Sequence, residues 1–261
     1  MATPVPFARP QYPEQSLHGR IVHAIGRRIL SGDLPPGAIV PAEPELGASR
    51  TVIREAIKVL AAKGLVESRP KTGTRVRPRH AWNLLDRDVL AWQQEGAASD
   101  ELLRKLTEVR RIIEPAAAEL AAARAGAADV AELERALAEM DAATRPRSED
   151  DVERFVRADM RFHLAILKAC RNELLEEMSR VVYSALLVSF RSTSAVPGRA
   201  RAAMPKHRAI FDAIRARDPR GAATAMRHLV QATAREVASL GRARKRRAEP
   251  RSKSAASRAR R

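Results

Sequence analysis

The sequence is poor in the residues on which secreted and membrane proteins rely. It contains a single cysteine, Cys170, so no disulfide can form within the chain, and this favours a reducing compartment. No apolar run approaches the roughly 20 residues that cross a membrane. The first residues also lack the basic segment and apolar core of a secretion signal. We therefore expect a cytoplasmic protein with no membrane partner.

Aromatic residues are also scarce, and enzyme signatures are lacking. Phe, Trp and Tyr make up 3% of the 261 residues, whereas hydrophobic residues as a whole make up 45%. Alanine and leucine dominate the hydrophobic set, which favours helices over sheets. Neither a glycine-rich phosphate loop nor a Ser/His/Asp arrangement stands out. The composition therefore predicts a mainly α protein of one or two domains that is not an enzyme.

Positive charge is concentrated at the two ends of the chain, whose formal net charge is +17. Residues 242–261 hold ten Lys and Arg against one acidic residue, and residues 20–79 hold twelve against five. Residues 98–240, in contrast, hold 24 against 21. A basic block favours a polyanionic partner, and nucleic acid is the obvious candidate for the block at residues 20–79.

Residues 49–60 have the pattern of a short helix that could enter a DNA major groove. Apolar side chains recur at helical spacing and form one stripe: Ile53, Ala56, Ile57 and Leu60. Basic and hydroxyl side chains fall largely on the other side: Arg50, Thr51, Arg54 and Lys58. Ser49 is placed to cap the first turn, and Gly64 to end the helix. An ordinary surface helix with a solvated basic face is an equal alternative for this stretch alone, so its context has to decide.

The surroundings of that stretch predict a winged helix-turn-helix over residues 15–79. Residues 16–31 carry an apolar stripe at helical spacing, and residues 41–46 have the pattern of the start of a second helix. After Gly64 the period changes to that of strands, at residues 65–68 and 74–77, with a basic turn between them. Three helices followed directly by a hairpin are typical of this DNA-binding fold.

The remaining sequence is divided into four segments by its composition. We expect a disordered lead, a structured linker, an all-α bundle of six or seven helices and a disordered basic tail: residues 1–14, 80–97, 98–240 and 241–261. Two of the bundle helices are expected at 99–113 and 114–125. Four apolar residues of the linker are expected to pack against a domain: Trp82, Leu85, Leu90 and Trp92.

The helical segment contains one carboxylate and three histidines that could share a metal ion. Asp159 and His163 stand at i and i+4, on one face of one helix. His207 and His228 are the two other histidines of this segment. Such a set suits zinc, nickel or manganese, with positions left open for an oxygen ligand. An exposed Asp/His pair beside two unrelated histidines is the commoner explanation of this spacing, so both interpretations stay open.

Fixed points within residues 16–79 are Leu34-Pro35-Pro36-Gly37, Pro41-x-Glu43, Ser49-Arg50-Thr51-x-x-Arg54-Glu55-Ala56, Gly64-Leu65-Val66 and Arg69-Pro70-x-x-Gly73-Thr74-x-Val76. This pattern resembles the N-terminal signature of GntR-type bacterial transcription regulators. The resemblance implies that a double-stranded DNA operator is contacted by four residues of the helix and three of the wing: Ser49, Arg50, Thr51, Arg54, Lys71, Thr72 and Gly73. The arginines can pair bidentately with guanine, while the hydroxyls and Gly73 can approach phosphates or the minor groove.

In one place the sequence departs from that family. The family usually has about four more residues, about one helical turn, between the Pro-x-Glu-x-Glu-Leu segment and the Gly-x-Ser-Arg turn. Here Leu46 runs directly into Gly47. We therefore expect a second helix shortened by one turn, or a helix-turn-helix in a changed register, with thinner support for the recognition helix.

A second set of residues extends the resemblance: Glu108-x-Arg110-x-x-x-Glu114-Pro115, Asp159-x-x-x-His163, Asn172, His207-x-x-Ile210-x-x-Ala213-Ile214 and His228. It resembles the FCD ligand-binding domain of the FadR subgroup. In metal-containing members the matching Asp and three His hold a divalent ion, and a carboxylate effector completes its coordination. The resemblance therefore assigns Asp159, His163, His207 and His228 to the metal, and Arg110 and Asn172 to the effector. Arg110 has an equal alternative as an ion pair with Glu114, and Asn172 as a helix cap.

Together these features predict a homodimeric repressor of a catabolic operon, which a sugar acid or another carboxylate releases from DNA. Residues 80–92 resemble the linker of galactonate-type operon repressors within the family. A dimer is expected because paired half-sites multiply affinity and specificity. A metal-dependent enzyme with a nucleic-acid-binding appendage is the alternative from another class, and a non-specific architectural DNA binder is a third.

Overall fold

Helices dominate the chain, and one two-stranded antiparallel sheet lies near its N-terminus. The structure is a computed structural model that describes residues 12, 15–41, 47–69, 71–95, 99–144, 149–178 and 198–248. The predicted class, an N-terminal helix-turn-helix with a wing followed by a multi-helix domain, is confirmed. None of the described helices has the length and hydropathy that a membrane crossing needs.

The first helix, α1 (Leu17–Ser31), forms the base of the N-terminal core. The Ser16 hydroxyl accepts a hydrogen bond from Gly19 N at 3.0 Å and caps the first turn. Gly32, with φ of 93°, ends the helix in the left-handed conformation. Apolar side chains at helical spacing, among them Ile21, Ile25 and Ile29, are buried.

The predicted recognition helix is α2 (Arg50–Ala62). Ala56, Ile57 and Leu60 are buried against the α1 side of the core, and Gly64 ends the helix with φ of 75°, as predicted. Ser49 occupies the N-cap position, but its side chain makes no capping hydrogen bond, so that part of the expectation was wrong. The second helix, with its predicted missing turn, would include residues 42–46, which lie outside the described residues.

The wing is the hairpin of β1 (Val66–Arg69) and β2 (Gly73–Val76). The strands are antiparallel, with Val66 opposite Val76 and Arg69 opposite Gly73. Lys71 and Gly73 both have positive φ, 65° and 82°, which lets the chain reverse tightly between the strands. Because Val66 and Val76 are buried beneath the hairpin, the wing is anchored to the helices.

The linker contains a 3-10 helix (Arg79–Ala81) and helix α3 (Arg87–Glu95), and α3 docks on the N-terminal core. Trp92 Nε1 donates a hydrogen bond to His23 Nδ1 at 2.8 Å, and both side chains are buried. Trp82 and Leu90 are buried as well, whereas Leu85 is 52% exposed, so its predicted packing was wrong.

A buried ionic contact fastens the same linker to the end of α2. Lys63 Nζ lies 2.9 Å from Asp86 Oδ2 and 2.8 Å from Asp88 Oδ2, and Lys63 is 4% exposed. Burial opposes its charge, but the two carboxylates raise the pKa of Lys63 above its ordinary value. The ammonium group therefore ties the N-terminal core to the linker as a charged residue.

The C-terminal region is a bundle of long helices: α4 (Ser99–Arg124), α5 (Ala127–Ala142), α6 (Glu149–Ala169), α7 (Arg199–Arg215) and α8 (Pro219–Ala248). Residues 173–178 are also helical. Helix α8 packs along α4 and α7, and α5 packs against α6. The core between them is filled by aliphatic and aromatic side chains, including Phe162, Leu133 and Met140.

Two predicted boundaries in this region were wrong. The helices expected at 99–113 and 114–125 form one helix, α4, with Pro115 in its interior. Helix α8 continues through Ala248, so the first residues of the predicted disordered tail are helical. These residues are mostly Arg, Lys and Ala, which have high helix propensity. Residues 249–261 lie outside the described residues.

The contact between α1 and α3 leaves no room for a side chain at Gly26. A Cβ atom there would come within 2.5 Å of the Trp92 ring. We predict that Gly26→Ala destabilises the chain by about 1–3 kcal/mol, because a tightly packed ring would have to shift. Urea unfolding followed by circular dichroism measures this.

Ala24→Gly, at an exposed position of the same helix, is the matched control. It should cost no more than about 1 kcal/mol, the difference in helix propensity between the two residues. If Gly26→Ala were stabilising, as propensity alone predicts, the close packing of Trp92 on α1 would be refuted.

Candidate functional site

The side chains expected to contact DNA form one exposed basic face. Four stand at the start of α2 and three at the tip of the wing, and all are exposed: Ser49, Arg50, Thr51, Arg54, Lys71, Thr72 and Gly73. The helix presents these residues because its apolar stripe is turned inwards. Whether they contact DNA is not tested by their exposure, and the assignment stays a prediction.

The charges around α2 leave this face positive. Glu55 is the one acidic residue of the helix, and its carboxylate lies 2.9 Å from Lys58 Nζ. Arg54 Nε is 4.0 Å from the same carboxylate, and the Arg54 side chain is 73% exposed. Arg54 can therefore extend towards a base edge, while Lys58 offsets the charge of Glu55.

In the helical domain, two histidines and an aspartate meet at one buried point. Asp159 and His163 stand one turn apart on α6, and His207 projects from α7. Their ligand atoms all lie within 4.8 Å of one another, and all three side chains are buried. We call this set the two-histidine cluster. The i and i+4 spacing predicted from the sequence therefore brings Asp159 and His163 together with His207.

The hydrogen bonds of His207 fix which ring nitrogen faces the aspartate as a lone pair. His207 Nδ1 lies 3.0 Å from the carbonyl oxygen of Ala203, which can only accept, so Nδ1 carries the proton. In the neutral ring, Nε2 is then an acceptor, and it lies 2.8 Å from Asp159 Oδ1. Neither of these two buried atoms has a hydrogen bond of good geometry within the described part of the chain. Two facing lone pairs need a proton or a cation between them.

The spacing of the donor atoms suits a cation. His163 Nε2 lies 3.6 Å from Asp159 Oδ1, and the His207 contact is shorter at 2.8 Å. Ligand atoms bonded to one zinc-like ion at roughly 2.0–2.2 Å are themselves roughly 3–3.5 Å apart. The residues of the two-histidine cluster could therefore bind a metal, and their donors are those that zinc, nickel, manganese or iron accept.

Helix α4 supplies a second layer behind His163. Glu114 Oε2 lies 3.2 Å from His163 Nδ1, and Glu114 forms a buried ion pair with Arg110, one turn earlier on α4. A carboxylate beside one ring nitrogen of a histidine favours a proton there and leaves the other nitrogen as the ligand. The alternative interpretation of Arg110, an ion pair with Glu114, is thus confirmed.

Both buried carboxyls have lowered pKa values. Burial alone would raise the pKa of each, because it penalises the charged form. Arg110 and His163 nevertheless hold the pKa of Glu114 well below its usual range. His207, with His163 and Arg110, lowers the pKa of Asp159. The centre of the domain therefore contains two carboxylates, one paired with an arginine and one with the histidines.

A small cavity opens onto the two-histidine cluster, and we call it the central cavity. Besides the cluster and Arg110, its lining includes Phe155, Arg199, Ala200, Ala203, Leu229, Thr233 and Glu236. Arg199 Nε lies 3.2 Å from Glu236 Oε2, so an ion pair between α7 and α8 borders the cavity. Sequence reasoning missed Arg199, Thr233 and Glu236, because they belong to no motif and meet only when the helices pack.

Two residues assigned by resemblance do not line this cavity. His228 is exposed on α8 and is not part of the two-histidine cluster. The next residue, Leu229, faces the cavity instead, since neighbouring residues of a helix point about 100° apart. Asn172 accepts a hydrogen bond from Leu175 N at 3.1 Å, which is the helix-cap alternative, and it is not among the described residues of the lining.

An exposed basic helix with a wing at one end, and a buried polar cavity in a helical bundle at the other, define a DNA-binding regulator with a ligand-binding domain. Comparison with known proteins agrees. Residues 17–76 match the bacterial regulatory proteins of the gntR family, and residues 105–232 match the FCD domain.

Individual relatives cover most of the chain. The galactonate operon transcriptional repressor of Escherichia coli (strain K12) is 37% identical over 223 residues, which cover 84% of this chain and 95% of that protein. The Glc operon transcriptional activator of the same strain is 26% identical over 81% of this chain and 85% of that protein. A solved structure of Lar, described as controlling the Listeria monocytogenes agr system, has a TM-score of 0.59 at 19% identity. It covers 86% of this chain and 98% of that one, and shows the fold alone.

The chain belongs to the GntR family and carries the FCD domain of the FadR subgroup. It is a DNA-binding transcription regulator and not an enzyme, so the alternative of a metal-dependent enzyme is set aside.

The ion pair behind His163 makes a prediction about stability. Glu114→Gln removes the negative charge beside buried Arg110, and we expect it to lower the free energy of unfolding by about 3–5 kcal/mol. Replacing both partners, as Arg110→Met with Glu114→Leu, should cost much less, because no buried charge is left uncompensated.

Urea unfolding of both variants and of the unchanged protein measures this difference. If Glu114→Gln were within about 1 kcal/mol of the unchanged protein, the pair would behave as an exposed salt bridge. That result would contradict the buried geometry of the second layer.

Proposed function

We propose that this regulator is a homodimeric repressor, acting on the chromosome in the cytoplasm, that leaves its operator when a small carboxylate binds beside a metal. The observation that carries the proposal is the central cavity, where two histidines, an aspartate and an arginine converge in a protein with a DNA-binding face. A repressor of a catabolic operon is the role that the 37% identity to a galactonate operon repressor supports. A relative that is an activator has lower identity, 26%.

At the DNA end, the proposed contacts divide by chemistry. Arg50 and Arg54 would pair with base edges in the major groove, since a guanidinium matches the two acceptors of guanine. Ser49 and Thr51 would hydrogen-bond phosphates, and this fits the Ser49 side chain, which makes no capping bond to its own helix. Lys71, Thr72 and Gly73 would bring the wing to the flanking backbone.

At the effector end, the proposed ligand is a small acid, with a sugar acid as the leading candidate. A divalent ion on the two-histidine cluster would supply coordination positions for carboxylate oxygens. Arg110 faces the same cavity, and a guanidinium has five N–H donors, more than its contact with Glu114 uses. Arg110 would thus orient the acid while remaining paired with Glu114.

Helix α3 offers a route between the two ends. Leu90 packs in the core of the helical domain, whereas Val89 and Trp92 pack in the core of the DNA-binding domain. A shift of α4 on effector binding would therefore move a helix that both cores grip. In a dimer on paired half-sites, a change in the separation of two recognition helices is enough to weaken binding.

The DNA assignment predicts the effect of two substitutions in the recognition helix. Arg50→Ala with Arg54→Ala should weaken binding to a fragment containing the protein's own promoter by at least roughly 100-fold, because each bidentate contact contributes about 1–3 kcal/mol. Electrophoretic mobility shift with excess competitor DNA measures this. Lys58→Ala, on the same helix but paired with Glu55, should change affinity only slightly. Equal losses in both variants would mean that charge, and not base recognition, drives binding.

The effector assignment predicts a ligand-dependent gain in stability. In a thermal-shift screen of metal-loaded protein against sugar acids, a true effector at about 100 times its Kd should stabilise by about 2.7 kcal/mol. The same acid should also release the promoter fragment. Arg110→Lys keeps the charge beside Glu114 but loses the planar fork, so we expect a much smaller shift. A shift of equal size in Arg110→Lys would remove Arg110 from the effector site.

A further inference from the structure

Helix α8 turns a leucine, and not a histidine, towards the two-histidine cluster. Leu229, Thr233 and Glu236 stand at i, i+4 and i+7, and all three line the central cavity. Leu229 is 4% exposed and belongs to the hydrophobic core. His228 precedes it by one residue, about 100° around the helix, and is exposed. Within the described residues, the cluster therefore has three ligands from α6 and α7, and a hydrocarbon side chain on the α8 side.

We propose that the metal site of this chain has three protein ligands, two imidazoles and one carboxylate, and that its effector is a chelating acid which completes the site. This rests on the proposed function in assuming that the cluster holds a metal. Asp159, His163 and His207 leave more than one position open on a six-coordinate ion, whereas a fourth ligand would close one of them. Leu229 cannot donate an electron pair, so the remaining donors have to come from the bound molecule or from water.

The number of open positions selects the chemical class of the effector. A 2-hydroxycarboxylate can offer two oxygens at once, one from the carboxylate and one from the neighbouring hydroxyl group. A simple monocarboxylate of the same length has no hydroxyl oxygen to add. The same reasoning selects the metal, because a tetrahedral zinc with three protein ligands keeps one open position, whereas six-coordinate nickel or manganese keeps three.

A site with three protein ligands also links the metal to the acid. Each molecule that binds completes the surroundings of the other, so the affinity for one has to rise when the other is present. Thermodynamic linkage requires the two effects to be equal in size. The metal and the acid are therefore expected to bind as a pair, with weak retention of the metal alone.

The first test measures Ni²⁺ binding to metal-free protein by isothermal titration calorimetry, with lactate, gluconate or propionate, and corrects for complexes formed in solution. Lactate or gluconate should tighten Ni²⁺ binding by roughly tenfold or more, as a coupling of ordinary size does. Propionate, which matches lactate but lacks the hydroxyl, should have little effect. Equal Ni²⁺ affinity in all four conditions would overturn the proposal.

Two neighbouring substitutions supply a matched pair. Leu229→His puts a fourth ligand on the cavity face of α8 and should tighten Ni²⁺ binding in the absence of acid by roughly tenfold or more. It should also reduce the effect of the acid. His228→Ala should leave both quantities unchanged, whereas His207→Ala should abolish binding. Loss of Ni²⁺ in His228→Ala, to the level of His207→Ala, would show that His228 is a ligand and would overturn the proposal.

The comparison of His228→Ala with His207→Ala remains decisive even if Leu229→His does not fold, which circular dichroism would reveal. Promoter binding measured on the same preparations separates the two proposals. Protein that binds the promoter but takes up no Ni²⁺, with or without acid, would overturn the metal site and leave the DNA-binding function standing. Protein that takes up Ni²⁺ with the expected acid dependence but ignores the promoter would do the reverse.

Discussion

The buried carboxylate of Asp159 is the constraint on which the centre of the helical domain depends. A charged group that leaves water needs an opposite charge or hydrogen-bond donors around it. Glu114 finds both in Arg110, one turn earlier on the same helix. Asp159 faces His163 and His207 instead, and neutral imidazoles that present lone pairs give it no such compensation. A proton or a shared cation has to supply it, so the packing of α6 against α7 and the chemistry of the site are one electrostatic problem.

The linker solves a different problem, which is to join two cores without a flexible hinge. Helix α3 has nine residues, too few for an isolated helix of this composition to be stable in water. Its stability therefore comes from contacts on both sides: Leu90 in the helical domain, and Trp92 against His23 and Gly26 in the DNA-binding domain. Lys63, buried between Asp86 and Asp88, adds a charged contact that tolerates little rearrangement. A connection of this kind can pass on a displacement, because neither end can yield alone.

Features set by local chemistry were predictable from the sequence, and features set by packing were not. Gly64 ends α2 because a left-handed residue is needed there, and the change of period after it predicts the hairpin. Pro115, by contrast, suggested a helix boundary, yet α4 continues through it, since tertiary packing outweighs the missing hydrogen bond. Asn172 was ambiguous because capping and ligand binding need the same side chain. His228 was misassigned because a motif counts residue types, whereas the phase of α8 within the bundle decides which residue faces inwards.

The charges around the central cavity give an independent reason to expect the metal and the acid together. The Arg110–Glu114 pair is neutral as a unit, so the net charge is set by Asp159 and by whatever binds beside it. Asp159 alone contributes −1, a divalent ion brings the total to +1, and a monocarboxylate then brings it to zero. Burial favours the neutral combination, because an uncompensated charge of either sign is costly in a low-dielectric interior. A fourth imidazole in place of Leu229 would strengthen metal binding without changing this sum, so the electrostatic demand for the acid does not depend on the number of ligands. What the leucine adds is the open coordination that lets a chelating acid meet that demand.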